Sequence, residues 1–202
     1  MADATTRTTA AEKRLRIEGL KASPVVPYDR AMRRECLRIF DLNIPRFFDG
    51  RERVLFEEYL DSLPGTYFAI VFEGQVAACG GYFILPEEKI AGLSWGIVRP
   101  DCQHMGVGKR LLLTRLLAIL GLHEIDRVIL DTSQNASGFF RHFGFAETRT
   151  TQDGYAPGLD RVEMTLPVDA RFRSDLIRRC RRLGFSPPAE PEPLPSARRP
   201  GR

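Results

Sequence analysis

AGLSWGIVRPDCQHMGVGKRLLL, residues 91–113, is the stretch from which the rest of this 202-residue chain is read. It opens as an apolar run of strand composition and breaks at Pro100 and Asp101. It then passes through Gln103-His104-Met105-Gly106-Val107-Gly108 into a helix-forming run that begins at Lys109. A strand, a Gly-spaced loop and a helix start in succession gather free backbone N–H groups around one point. The positive end of the helix dipole lies behind them, and the whole is a site for a pyrophosphate. At Gly106 and Gly108 a Cβ would hold phosphate oxygens away from the backbone. Two other phosphate loops fail on the residues. A Walker A loop needs Gly at Gln103 and Ser or Thr at Arg110, and a dinucleotide fingerprint starting at Gly106 meets Leu111 in place of its third Gly.

The remaining pattern, Val98-x-Pro100-x-x-Gln103-x-x-Gly106-x-Gly108, resembles the acetyl-CoA loop of the GNAT family of N-acetyltransferases. A second stretch, Ser133 to Phe145 (SQNASGFFRHFGF), resembles that family's later signature. There an Asn, an Ala, an aromatic pair and a terminal Gly-Phe form the helix beside the pantetheine arm. Glu73 to Gly80 also looks like the family's hairpin before the cofactor strand. The resemblance covers about Tyr28 to Pro167. It implies a mixed α/β (α+β) fold with a central, mostly antiparallel sheet of about six to seven strands, splayed at the cofactor strand and flanked by about four helices.

In function it implies an acetyl-CoA-dependent N-acetyltransferase that moves the acetyl group directly onto a primary amine: a small molecule, an amino acid or a peptide or protein amine. Acetyl-CoA is then the co-substrate, and no metal is called for. By the resemblance, Gln103, His104, Met105, Gly106, Val107, Gly108 and Lys109 hold the phosphates. Backbone N–H groups at Ile97 and Val98 meet the thioester oxygen, and Asn135 and Phe140 flank the pantetheine tunnel.

Two departures bear on the chemistry. Where the family often has a Tyr near the coenzyme sulfur, this chain has Phe140, which carries no proton. Many members place a carboxylate on the cofactor strand, whereas residues 90–98 offer only Ser94 and the Trp95 N–H. Acetyl transfer needs an acceptor for the amine proton, a donor for the thioester oxygen and stabilisation of the thiolate. For the first and third of these tasks, Asp131 and Ser133, at the end of the strand DRVILDT, are nearest by topology. Tyr155 comes next, with Asp160 in the same turn. Asp131 as a helix cap, Asp160 as a turn residue and Tyr155 as a pocket wall are the alternative roles. A non-catalytic acyl-CoA-binding or regulatory module is the alternative function.

Four Cys (Cys36, Cys79, Cys102, Cys180) stand singly, without metal-ligand spacing, and read as reduced thiols of a cytoplasmic protein. No apolar run approaches the ~20 residues of a membrane span. The net charge of +4 is concentrated in the tails, so nucleic acid is not an expected partner. Residues 1–22 read as a disordered or loosely helical tail, 23–167 as the acetyltransferase domain, 168–185 as an amphipathic Arg-rich helix and 186–202 as a Pro-rich disordered tail. The Arg-rich helix has the pattern of one that docks on its own domain or on a second subunit, so a homodimer is an open expectation. Before the cofactor strand the chain reads as two helices, from Arg30 and from Arg51, then an antiparallel meander. The second helix has Val54, Leu55, Tyr59 and Leu60 turned inward. After it, DGYAPGLD, residues 153–160, reads as a long turn between two strands. The acceptor pocket is expected between these two helices and that turn.

Overall fold

The computed structural model describes residues 9–122 and 124–182. His123 and the Pro-rich segment 186–202 lie outside them. The elements run α1 (Ala10–Ala22), β1 (Val25–Pro27), α2 (Arg33–Asp41), α3 (Glu52–Ser62), β2 (Thr66–Phe72), β3 (Gln75–Leu85), β4 (Ile90–Val98), α4 (Val107–Leu122), β5 (Arg127–Ser133), α5 (Gln134–Arg141), β6 (Ala146–Ala156), β7 (Leu159–Pro167) and α6 (Ala170–Arg182). The seven strands form one sheet in the order β1-β2-β3-β4-β5-β7-β6. Every neighbouring pair is antiparallel except β4 with β5. This is the mixed, mostly antiparallel sheet that the sequence implies. α2 to α5 supply the four expected flanking helices, and α1 and α6 add one from each end of the described chain.

β2, β3 and β4 are covered on both faces, which explains their nearly continuous apolar runs, whereas the edge strand β6 is polar and exposed along most of its length. Along β2 the alternation is plain: Tyr67 and Ala69 pack with α2 and α3, while Phe68 and Ile70 pack with α4. Glu73 and Gly74, both at positive φ (52° and 72°), turn β2 into β3, the backbone that a two-residue hairpin of right-handed twist requires.

α4 is apolar on nearly every side: Leu111, Leu112, Leu113, Leu116 and Ile119 are all buried. Such a helix needs cover on both sides. The sheet supplies one. α1 and α6 supply the other, through buried Leu20 and through buried Leu176 and Cys180. α1 starts in a capping box, Thr9 Oγ1 accepting from the Glu12 N–H and Glu12 from the Thr9 N–H. Residues 10–22 are thus a defined, capped helix where the sequence suggested at most a loose one. Buried Leu20, the Arg16–Asp101 ion pair and a hydrogen bond from the Arg110 guanidinium to the Lys21 carbonyl hold it down.

Two local expectations are corrected. In α3 the inner residues are Phe56, Tyr59 and Leu60, whereas Val54 and Leu55 face outward. The helix is rotated so that the bulky Phe56 fills the core. The segment 153–160 is not a long turn: β6 runs to Ala156 and β7 starts at Leu159, leaving Pro157 and Gly158 (φ 77°) as the connection. The two strands hold together across a bulge because Asp153 Oδ1 accepts the Gly158 N–H (2.6 Å) and Asp160 Oδ1 accepts the Asp153 N–H (2.9 Å).

Candidate active site

β4 and β5 pair only at Ile90–Arg127, Ala91–Val128 and Gly92–Ile129. Beyond Gly92 the two strands part, so β4 has no ladder partner on that side along its second half. Backbone groups on such an edge are open to a ligand. β4 is also irregular there. Its register with β3 shifts between Cys79 and Gly81, and Trp95 sits at φ 42°. A non-Gly residue in that region is a strained feature of the kind found at functional sites. The Trp95 ring goes to the α2–α3 face, within 5.0 Å of Phe56 and 6.2 Å of Phe48 between ring centres.

Behind the bulge lies Arg115, fully buried on α4. Its Nη1 donates to Gly81 O at 3.4 Å and its Nε to Leu111 O at 3.3 Å. Gly80 and Gly96 make the room: a Cβ on either would stand within 3.2 Å of the guanidinium. Burial lowers Arg115 to about 10, so its charge persists at neutral pH. On the other face Tyr59 Oη shares a 2.8 Å hydrogen bond with Ser94 Oγ, and burial raises the Tyr59 phenol to about 12. Tyr67 donates to Trp95 O at 3.0 Å, fixing the bulge.

The loop after β4 is held by side chains from elsewhere. Gln103 Nε2 donates to Asn43 Oδ1 (3.0 Å) and Val98 O (3.2 Å), and Asn43 Nδ2 donates to the same Val98 carbonyl (3.1 Å). Gln103 is therefore a brace of the loop. His104 and Gly106 both take positive φ (60° and 86°), and a Cβ on Gly106 would project into open space. α4 begins immediately after, its first turn of N–H groups lacking intrahelical acceptors. Val107 is buried and Met105 packs on the core, whereas His104 is exposed. Gly108 is the meeting point of three elements: its Cβ would lie 3.4 Å from Val98 and 3.7 Å from Phe139 of α5.

Across the opening, Ser133 Oγ is buried with no hydrogen-bond partner at the start of α5. Asn135 Nδ2 donates to Arg46 O at 2.6 Å, tying α5 to the segment before α3. Phe140 packs edge-on to Phe139 and Phe145. A buried orphan hydroxyl, an unpaired strand edge and open space beside Gly106 at a helix start together fit an extended, amide-bearing chain that ends in phosphates.

The remaining candidates gather where α3 meets β6 and β7. Arg51 Nη2 donates to Tyr155 O at 3.2 Å. Asp131 and Glu163 both pair with Arg161, at 3.6 and 3.0 Å. Burial, with Glu52 beside it, pushes the Tyr155 phenol well above its ordinary value. Glu52 is half-buried, and that burial raises its own carboxyl. Asp131 and Tyr155 therefore share one cluster around Arg161, and Ser133 stands opposite Arg161 in the strand register. Glu52, Asn43, Tyr59 and Arg115 are the residues that sequence reasoning missed. Asp160 serves the turn.

A family model described as "Acetyltransferase (GNAT) family" matches residues 36–145, a little over half of the chain. No curated protein sequence matches the chain at a significant level. Among solved structures the chain is similar to a protein assigned to the GNAT family from Desulfovibrio desulfuricans (TM-score 0.63, 20% identity, covering 73% of this chain and 100% of that one). It is also similar to the ribosomal-protein-S18-alanine N-acetyltransferase of Escherichia coli (0.57, 20%, covering 73% and 94%). A third is an aminoglycoside 6'-N-acetyltransferase in complex with coenzyme A (0.58, 13%, covering 73% and 98%).

Proposed function

The chain belongs to the GNAT family of acetyltransferases, and from that premise we propose that it is an acetyl-CoA-dependent N-acetyltransferase acting directly on a primary amine, without an acyl-enzyme. The observation that carries this reading is the parting of β4 from β5 after three residue pairs, with the Gly106 loop and the start of α4 at its open end. Acetyl-CoA supplies, when bound, an acetyl group already activated as a thioester. The N–H groups of the 104–109 loop and helix start receive the pyrophosphate. Ser133 Oγ gains a partner in a pantetheine amide, as does the remaining hydrogen-bonding capacity of Asn135, while Phe140 supplies an apolar wall. Of the two expected donors only Val98 turns its N–H to the open edge, where it meets the thioester oxygen; N–H groups alternate along a strand, and Ile97, like Arg99, turns its own toward β3. The buried Arg115 charge sets a positive potential behind the strand, the preorganised field that a developing oxyanion requires.

The amine proton goes to Glu52, directly or through one water, because its raised carboxyl is the better base of the cluster. Tyr155 stays protonated and stabilises the departing thiolate by a hydrogen bond, a contact that Phe140 cannot make, and the thiolate takes its proton from solvent. Asp131 and Glu163 position Arg161 between them. The carboxylates of this cluster attract a cationic acceptor. An acyl-enzyme is disfavoured because all four thiols are buried, and burial pushes the Cys102 and Cys180 thiols up. Phe140 also favours a second reading, a non-catalytic acyl-CoA-binding module. We place the protein in the cytoplasm; among the described residues no helix is long and apolar enough to cross a membrane.

The test is a thiol-release assay with acetyl-CoA and a panel of amines. N-terminal alanine peptides and aminoglycosides belong in it because two similar structures carry those acceptors in their names. Gly106→Asp runs alongside, with coenzyme affinity measured by calorimetry. Release that depends on an acceptor and disappears in Gly106→Asp supports the enzyme. Tight binding without turnover over the whole panel supports the module, and no binding by the wild type removes both.

A further inference from the structure

α6 follows the last strand and adds nothing to the sheet, yet it carries Arg171, Arg173, Arg178, Arg179, Arg181 and Arg182. Its placement is fixed at both ends. Arg173 donates to Leu120 O (3.4 Å) and Ile125 O (2.9 Å), beside the end of α4. Buried Cys180 lies close enough to Lys109 to feel its charge. The helix therefore runs antiparallel to α4, and its last turns come to rest beside the first turn of α4. There Lys109, Asp175, Arg178, Arg179 and Arg182 enclose a concavity of about 490 Å³. Arg178 is paired with Asp175, and the Arg179 guanidinium lies over the Phe143 ring at 5.4 Å. With one acid set against four bases, the walls keep an excess of positive charge. Lys109 is three residues beyond Gly106, which is about 5 Å along a helix, so the concavity adjoins the pyrophosphate loop.

We propose that this concavity seats the 3'-phosphate at the adenosine end of the coenzyme, and that α6 gives the chain a preference for coenzyme A over its 3'-dephospho form. The proposal rests on the acetyl-CoA reading above. In the coenzyme the 5'-pyrophosphate and the 3'-phosphate are carried on one ribose, so a second anion must emerge one sugar away from the loop that holds the first. The pyrophosphate is met by backbone N–H groups. A phosphomonoester carries close to two charges at neutral pH and three acceptor oxygens, and it calls for guanidinium forks. Solvation alone gives arginines no reason to converge on a hollow beside a lysine of the phosphate loop, where their mutual repulsion is largest.

The experiment is calorimetric titration of the full chain with coenzyme A and with 3'-dephospho-coenzyme A, at low and at moderate salt. R182E and R178A/R182A test the site. Both leave the docking residues Leu176 and Cys180 in place, and thermal melts confirm the fold. R171E makes the same charge change as R182E on α6, outside the concavity. The wild type is expected to bind coenzyme A at least ~10-fold more tightly than the dephospho form, with the difference shrinking as salt rises. R182E and the double variant should weaken coenzyme A about 10- to 100-fold and leave the dephospho form within about twofold. R171E should change neither. Equal wild-type affinity for the two ligands overturns the proposal, and so does parallel weakening of both by R182E and R171E. Failure of the wild type to bind either ligand overturns the acetyl-CoA reading itself, which separates the two failures.

Discussion

Glu52 and Tyr155 make opposite demands on pH. A carboxyl raised above its ordinary value of 4.5 by burial keeps, in the folded chain, a proton that the unfolded chain has lost. Its effect on stability is therefore unfavourable above the raised value and vanishes below the ordinary one. Glu52→Gln should raise the melting temperature at pH 7 and leave it unchanged at the acid end of the stable range. The same substitution should lower kcat/KM at pH 7 by about 10²-fold and erase the acid limb of the pH profile, which in the wild type lies above the ordinary carboxylate range. Retention of that limb would remove Glu52 as the base. Tyr155→Phe should lower kcat about 10- to 100-fold without moving the acid limb, since the phenol is protonated throughout the working range. A kcat within about twofold of wild type would reduce Tyr155 to a wall. Neither partnership is legible from the chain. Asp49-Gly50-Arg51-Glu52 reads as a helix start, and Glu52 does accept the Asp49 N–H at 2.8 Å. Only the approach of β6 shows a second use. Arg115 is hidden in the same way, as a charge interrupting a leucine run. The glycine spacing at 106 and 108 was, by contrast, plain in the sequence, and the structure adds a reason for glycine that the spacing did not show, a positive φ of 86° at Gly106.

Among the elements, α4 explains the helices at either end. Its apolar run was plain in the sequence, but what covers its outer side was not, because that depends on isolated contacts from 10–22 and 170–182. Leu20 makes the contact for α1 and is 1% exposed, while Leu15 on the same helix is 67% exposed. Leu20→Ala should cost about 2–4 kcal/mol in denaturant unfolding, and Leu15→Ala less than about 0.5 kcal/mol. Equal small effects would mean that α1 rests on the domain without supporting it. The β6–β7 connection was misread for a similar reason. Asp, Gly and Pro at 153–160 have turn composition, and only the side-chain bonds of Asp153 and Asp160 to backbone N–H groups keep the strands paired through it.

At the scale of the molecule, the alternation of helix and strand composition marked most of the elements, and the family resemblance carried by two glycine-bearing motifs implied the sheet and its splay. Neither marked the burial of scattered residues, and the cysteines are the clearest case. Cys36, Cys79 and Cys102 are 0% exposed and Cys180 1%, each from a different element or loop. An aromatic disulfide reagent should therefore titrate essentially no thiol in the native protein within minutes and all four after addition of denaturant. One or more fast native thiols would mean that the element carrying it opens readily.

The short ladder between β4 and β5 also divides the molecule along its own sequence. β1 to β4 with α1 to α4 precede the link, and β5 to β7 with α5 and α6 follow it. Each strand group is a continuous antiparallel ribbon with its own turns, and only three residue pairs join the ribbons edge to edge. A cut between Leu122 and Glu124 falls after α4, as described to Leu122, and before β5, which starts at Arg127. The two pieces, produced together in one cell, should reassemble through the α4 face and these three pairs, so that the opening between them doubles as a seam at which the protein can be made in two parts.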